Sequence, residues 1–128
     1  MIDGRGTGSV GNAFKNAVYK RLGYFETIDQ IRAGEYISSL SYIQPDNLAI
    51  WGWSYGGYMS SKVLEAGSGV YKTAIAVAPV TDWRFYDTIY TERYMLTPQS
   101  NAEGYAEGKI SNVENFRGYN YFLIHGTA

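Results

Sequence analysis

Cysteine is absent from the 128 residues, which excludes a disulfide framework, a thiolate metal site and a cysteine nucleophile. Histidine occurs once, at His125, so imidazole chemistry within this sequence has a single candidate. Charge is sparse and balanced: 11 basic against 12 acidic residues give a net charge of -1. Such a balance argues against a nucleic-acid or anionic-membrane partner. No apolar run approaches the roughly 18 to 20 residues of a membrane helix, and Met1-Ile-Asp-Gly-Arg-Gly6 has no signal-peptide core, so a soluble segment is expected. What the chain does have is 45% hydrophobic residues, enough for a core, together with 15 glycines and 13 tyrosines. Tyrosine suits both a packed core with satisfied hydroxyls and a site that grips an apolar ligand beside water.

Glycines at 4, 6, 8 and 11 mark residues 3 to 12 as a loop. Its GxG spacing lacks the preceding strand that a nucleotide fingerprint requires, so a shaped loop packed beside a site is the preferred reading. From Glu26 to about Leu40, Ile28, Ile31, Ile37 and Leu40 recur at helical spacing. Pro45, Asp46 and Asn47 then signal a turn, and Leu48 to Trp51 reads as a buried strand. A helix over Tyr55 to Glu65, a second buried strand over Thr73 to Ala78, a partly helical aromatic segment over Asp82 to Tyr94 and a third buried strand over Tyr121 to His125 complete the pass. Apolar strands alternating with helices predict an α/β fold whose parallel sheet is covered on both faces. Three strands alone would leave open edges and bare apolar faces, so the expectation is a piece of a domain.

Gly52-Trp-Ser54-Tyr-Gly56 matches G-x-S-x-G, and it lies where that motif functions, between a strand and a helix. A serine on such a turn projects its Oγ beyond the sheet, and the crowding is expected to demand glycine two residues to either side. The Tyr55 backbone N–H, at the helix N-terminus, would face the oxyanion of a tetrahedral intermediate, and Gly57 would allow close packing of the helix. Serine needs a base. The order Ser54, then Asp82 or Asp87, then His125 fits a triad on paper, but His125 falls within the last apolar run, where a structural histidine is the better reading. Trp83, Tyr86 and Tyr90 stand at i, i+3 and i+7, one stripe if the segment is helical. The residues alone leave two uses open for that stripe, core packing or the wall of a pocket for a compact ring such as prolyl.

Asp3-Gly-Arg-Gly-Thr-Gly8, Trp51-Gly-Trp-Ser-Tyr-Gly-Gly-Tyr58, Ala76-Val-Ala-Pro-Val80, Tyr90-Thr-Glu-Arg-Tyr-Met95 and His125-Gly-Thr-Ala128 together resemble the dipeptidyl peptidase IV branch of the prolyl oligopeptidase family of serine peptidases. Thr81-Asp-Trp-Arg-Phe-Tyr-Asp87 is most similar to its fungal dipeptidyl aminopeptidases. The resemblance implies a partial α/β-hydrolase fold, with residues 1–128 forming the central part of a peptidase catalytic domain and no propeller domain present. It implies Ser54 as the acylated nucleophile, the Tyr55 N–H as an oxyanion donor, and Val80, Trp83, Tyr86 and Tyr90 as the pocket for a penultimate prolyl or alanyl side chain. It implies a peptide substrate, no metal or other cofactor, frequent homodimerisation, and a secreted enzyme or one anchored at the vacuole or Golgi membrane. In this family the triad Asp follows the H-G-T-A word and the triad His comes later, so a fragment with little or no activity of its own is expected. An inactive interaction module and an esterase-like piece of the same fold are the alternatives.

Overall fold

The computed structural model describes residues 1–127, and Ala128, the last residue of the H-G-T-A word, lies outside the described residues. In chain order the elements are α1 (Asn12–Lys15), α2 (Tyr24–Ser38), β1 (Ala49–Trp53), α3 (Tyr55–Glu65), β2 (Thr73–Val77), α4 (Thr88–Met95), α5 (Ala102–Gly108) and β3 (Asn120–Ile124). Single 3-10 turns over Asn16–Val18, Pro45–Asn47, Trp83–Phe85 and Val113–Phe116 join them. The three apolar runs pair as a parallel sheet in the order β1-β2-β3, with Trp51, Ile75 and Phe122 in register across it. The fold is thus α/β, as the alternation of strands and helices predicts.

Small residues let α3 settle on the sheet. Ala74 and Ala76 are fully buried beneath it, and a Cβ on Gly57 would lie 2.9 Å from the Val77 carbonyl oxygen and 3.1 Å from that of Gly52. The opposite face differs from expectation. Trp51, Trp53, Phe122 and Ile124 share that face by register and remain exposed, Trp51 at 70%. Successive strand residues point to opposite faces, and among the described residues helix α3 packs on β1 and β2 over the face carrying Gly52, Ala74 and Ala76.

Helix α2 begins at Tyr24, two residues before the expected start at Glu26, because Glu26 at its third position accepts a hydrogen bond from the Gly23 N–H at 3.0 Å. Its buried positions are Thr27 and Gly34 rather than the isoleucines. A Cβ on Gly34 would stand 2.6 Å from Val70 and 2.8 Å from the Tyr71 ring, so glycine inside the helix permits this approach. Leu22, Tyr58, Met59, Val63, Tyr71, Trp83, Met95 and Tyr105 form the core. The Tyr58 hydroxyl lies between the carbonyl oxygens of Leu22 and Gly108, at 2.9 and 2.7 Å, and so ties three segments to one buried ring.

Candidate active site

Ser54 stands between β1 and α3 with φ 57° and ψ -115°. Positive φ at a residue with a Cβ stores ~1–3 kcal/mol of strain, which only a well-determined surrounding can hold. Here the surrounding is explicit. The Ser54 N–H donates to the Val77 carbonyl at 2.9 Å, while its own carbonyl accepts from the Tyr58 N–H at 3.0 Å, the first turn of α3. The hydroxyl makes no capping bond to the helix and the residue is exposed, so Oγ is free to react beyond the strand ends.

The flanking glycines are not equivalent. A Cβ on Gly52 would fall 2.3 Å from the Gly56 carbonyl carbon, so Gly52 is required. A Cβ on Gly56 meets nothing within 4 Å, which corrects the expectation that crowding demands glycine on both sides. What the turn needs at position 56 is a backbone close to Gly52.

Trp83, Tyr86 and Tyr90 converge, although not as a helical stripe. Asp82 caps a 3-10 turn by accepting from the Arg84 N–H at 3.0 Å, and Asp87 starts α4 by accepting from the Tyr90 N–H at 2.9 Å. Trp83 therefore sits on the turn, Tyr86 on the connection and Tyr90 on the helix. Their ring centroids lie 6.0 Å apart for Trp83 and Tyr86, 5.9 Å for Trp83 and Tyr90, and 5.5 Å for Tyr86 and Tyr90. Tyr55 joins the cluster 5.6 Å from Trp83, and half-buried Val80 packs against the same core. The two uses left open by the sequence divide within the cluster: Trp83 is 1% exposed and packs in the core, whereas Tyr86 is 46% exposed.

The acids and the histidine are otherwise engaged. Asp82 holds Arg84 in a two-pronged ion pair with a shortest approach of 2.6 Å, and the guanidinium keeps its carboxyl below the usual carboxylate range. His125 follows β3, two strands from Ser54, a separation of roughly 9 to 10 Å across a sheet, and its Nδ1 lies 2.9 Å from the Gly126 carbonyl oxygen. Neither Asp82 nor Asp87 nor His125 is hydrogen-bonded to Ser54. Among the described residues no cluster of three or more carboxylates and imidazoles is arranged for a metal ion.

Sequence reasoning missed Glu26. Its carboxylate accepts from the Tyr55 hydroxyl, 29 residues away, as well as from the start of α2. Burial raises the Glu26 pKa, partly offset by the Tyr55 bond, and burial followed by the Glu26 charge drives the Tyr55 phenol far up, so the phenol remains a donor. Gly23 followed by Glu26 has the spacing of a capping box and was the available signal. The Gly-rich loop packs where Arg5 grips Asp29 at 2.6 Å and covers the Phe25 ring at 4.3 Å. Between this loop and the helices lies a cavity of about 430 Å³ lined by Arg5, Thr7, Glu26, Tyr55 and Tyr90 among others.

The comparisons with known proteins agree with this geometry. The chain is similar to dipeptidyl peptidase 4 of Felis catus, 53% identical over 130 residues that cover 99% of this chain and 17% of that protein. It is 50% identical over 130 residues to dipeptidyl aminopeptidase B of Saccharomyces cerevisiae, covering 100% of this chain and 16% of that one. The crystal structure of Porphyromonas gingivalis dipeptidyl peptidase 4 superposes with a TM-score of 0.89 at 45% identity, over 98% of this chain and 18% of the other. The chain thus spans about a sixth of the length of the curated relatives it matches. With the family model matched over residues 1–128, the chain belongs to the prolyl oligopeptidase family.

Proposed function

We propose that this chain carries the nucleophile segment of a serine dipeptidyl aminopeptidase that releases N-terminal dipeptides with Pro or Ala in the penultimate position. The observation that carries the reading is Ser54, held at φ 57° with its hydroxyl free of the helix cap and followed by Tyr55, whose ring joins the aromatic cluster. Relatives at 50 to 53% identity are named dipeptidyl peptidases or aminopeptidases, which supports the same reading.

Ser54 Oγ attacks the carbonyl carbon of the penultimate residue while a base takes its proton, and the carbonyl oxygen becomes an oxyanion. The Tyr55 N–H, one of the unpaired donors at the start of α3, stabilises that charge together with the helix end. Collapse of the intermediate passes the proton to the leaving amine and leaves the dipeptide esterified to Ser54, and water then releases it by the reverse sequence. The penultimate ring lies against Tyr86, Tyr90 and Val80, where flat faces suit prolyl and a small methyl suits alanyl. Because His125, Asp82 and Asp87 are engaged elsewhere, this segment supplies nucleophile, oxyanion donor and pocket wall but not base and acid. The same family resemblance supports a homodimeric parent protein, secreted or anchored at the vacuole or Golgi membrane.

The test is a chimera in which these 128 residues replace the matched stretch of the Saccharomyces cerevisiae enzyme. Chromophore release from Gly-Pro and Ala-Pro conjugates, lost in Ser54→Ala, supports the proposal. Turnover of short acyl esters without turnover of the dipeptide conjugates points instead to an esterase, and release that survives Ser54→Ala overturns the proposal.

A further inference from the structure

We propose that Glu26 is a positioning residue for this site: its carboxylate holds the Tyr55 ring, and thereby sets how well the oxyanion donor and the pocket wall discriminate prolyl from alanyl substrates. The inference rests on the functional reading above and adds a residue outside the elbow and the aromatic cluster.

Both carboxylate oxygens are committed. Oε2 accepts from the Gly23 N–H at 3.0 Å, which fixes the first turn of α2, and Oε1 accepts from the Tyr55 hydroxyl. A cap alone would need only the first of these bonds. The second crosses to a different helix and ends on the residue adjacent to the nucleophile. Tyr55 is the first residue of α3, so its backbone N–H and its ring leave one Cα next to Ser54. Glu26 anchors the far end of that side chain, while Ser54, clamped to Val77 and Tyr58, anchors the near end.

Between those anchors the Tyr55 ring packs 5.5 Å from Tyr58 and 5.6 Å from Trp83, and Trp83 stacks on Tyr90 at 5.9 Å with 23° between planes. Tyr55 also lines the 430 Å³ cavity beneath the Gly-rich loop. A ring that borders open space can swing into it once its hydroxyl is released. The Glu26 bond is what opposes the swing, and a small displacement at a group that stabilises a transition state is costly in rate.

The experiment is a double-mutant cycle in the chimera, with active sites titrated so that rates are per competent molecule. Glu26→Ala and Tyr55→Phe are each expected to lower kcat/KM for Gly-Pro conjugates by about 10-fold. The lowering is expected mainly in kcat, with the Pro-to-Ala preference shifted about 3-fold or more by both. Glu26→Gln, which keeps one acceptor, recovers part of the loss. The double variant Glu26→Ala/Tyr55→Phe falls no further than the weaker single variant, because both remove one interaction. Losses that multiply, or a Pro-to-Ala preference unchanged in both variants, reduce Glu26 to a helix cap and overturn the proposal. Should Glu26→Ala fail to fold, Tyr55→Phe keeps the cap intact and decides alone, an unchanged preference overturning the proposal. Loss of turnover in Ser54→Ala alongside either result shows that the functional reading stands independently of this one.

Discussion

A Cβ placed on Gly52 would stand 2.3 Å from the carbonyl carbon of Gly56, closer than any non-bonded contact allows. The strand leading to Ser54 and the helix leaving it therefore approach through glycine at position 52, and the turn exposes its serine because that approach exists. The space is not reciprocal, since a Cβ on Gly56 is unobstructed.

Gly52→Ala is expected to destabilise the chain by ~3 kcal/mol or more, because the backbone must separate to accept the methyl group. Gly56→Ala is expected to stay within ~1 kcal/mol of the parent, on the stabilising side, since alanine favours the helix. Urea midpoints of the two variants measure the asymmetry, and equal losses would contradict it.

Ser54→Gly relieves the positive φ while deleting the hydroxyl. A gain of ~1 kcal/mol in stability is expected, the strain released exceeding the extra entropy of the unfolded glycine. Turnover in the chimera should fall by about 10⁴-fold or more, as loss of a serine nucleophile does elsewhere. Urea unfolding set beside the rate assay would show whether stability and reactivity oppose one another at this residue.

Within the aromatic cluster the same substitution should have different consequences. Trp83 is almost wholly enclosed, so Trp83→Ala is expected to cost ~3–5 kcal/mol and to be dominated by lost packing. Tyr86, half in solvent, should cost ~1 kcal/mol or less when truncated, while kcat/KM for Gly-Pro conjugates drops by about 10-fold. Thermal denaturation and chimera kinetics of Tyr86→Ala separate the two effects, and an unaffected rate would remove Tyr86 from the pocket.

Acid should act on this chain in two opposed ways. Arg5, Arg84 and Arg21 hold the carboxyls of Asp29, Asp82 and Glu107 below their ordinary values, so the stability these pairs contribute is complete above the unfolded pKa and is lost as pH falls through the folded one. Glu26 has the reverse sign. Burial raises its folded pKa above 4.5, so its contribution is complete below that value and is lost as pH rises through the folded pKa. Asp82→Asn should therefore flatten the acid limb of the stability profile, whereas Glu26→Gln should remove a decline on the side above pH 4.5. Urea midpoints across the acidic range check both slopes.

The elbow was legible in the sequence because its determinants are local: glycine at 52 and 57, serine between them, an apolar run before and helix formers after. Helix α3 runs from Tyr55 to Glu65 as its pattern predicts. The segment is partly helical as expected, but its aromatic residues do not form one stripe, since two aspartates that cap successive short elements divide Asp82 to Tyr94 into a turn and a helix. Spacing cannot separate this capping role from that of a triad acid, which the order Ser54, Asp82 or Asp87, His125 also allows. Glu26 was illegible as a partner of Tyr55 because nothing in periodicity reports which helix meets which. The exposure of Trp51 and Trp53 escaped the strand reading for a similar reason: an apolar run states what a face would bury, not what the fold supplies to cover it.

Acylation of Ser54 by a dipeptidyl group, as proposed, is open to trapping of that serine. A Gly-Pro aryl phosphonate incubated with the chimera should form one adduct, mapped by mass spectrometry to the peptide containing Ser54 and lost in Ser54→Ala together with Gly-Pro turnover. An adduct on another residue, or continued turnover with Ser54 unmodified, would contradict the account.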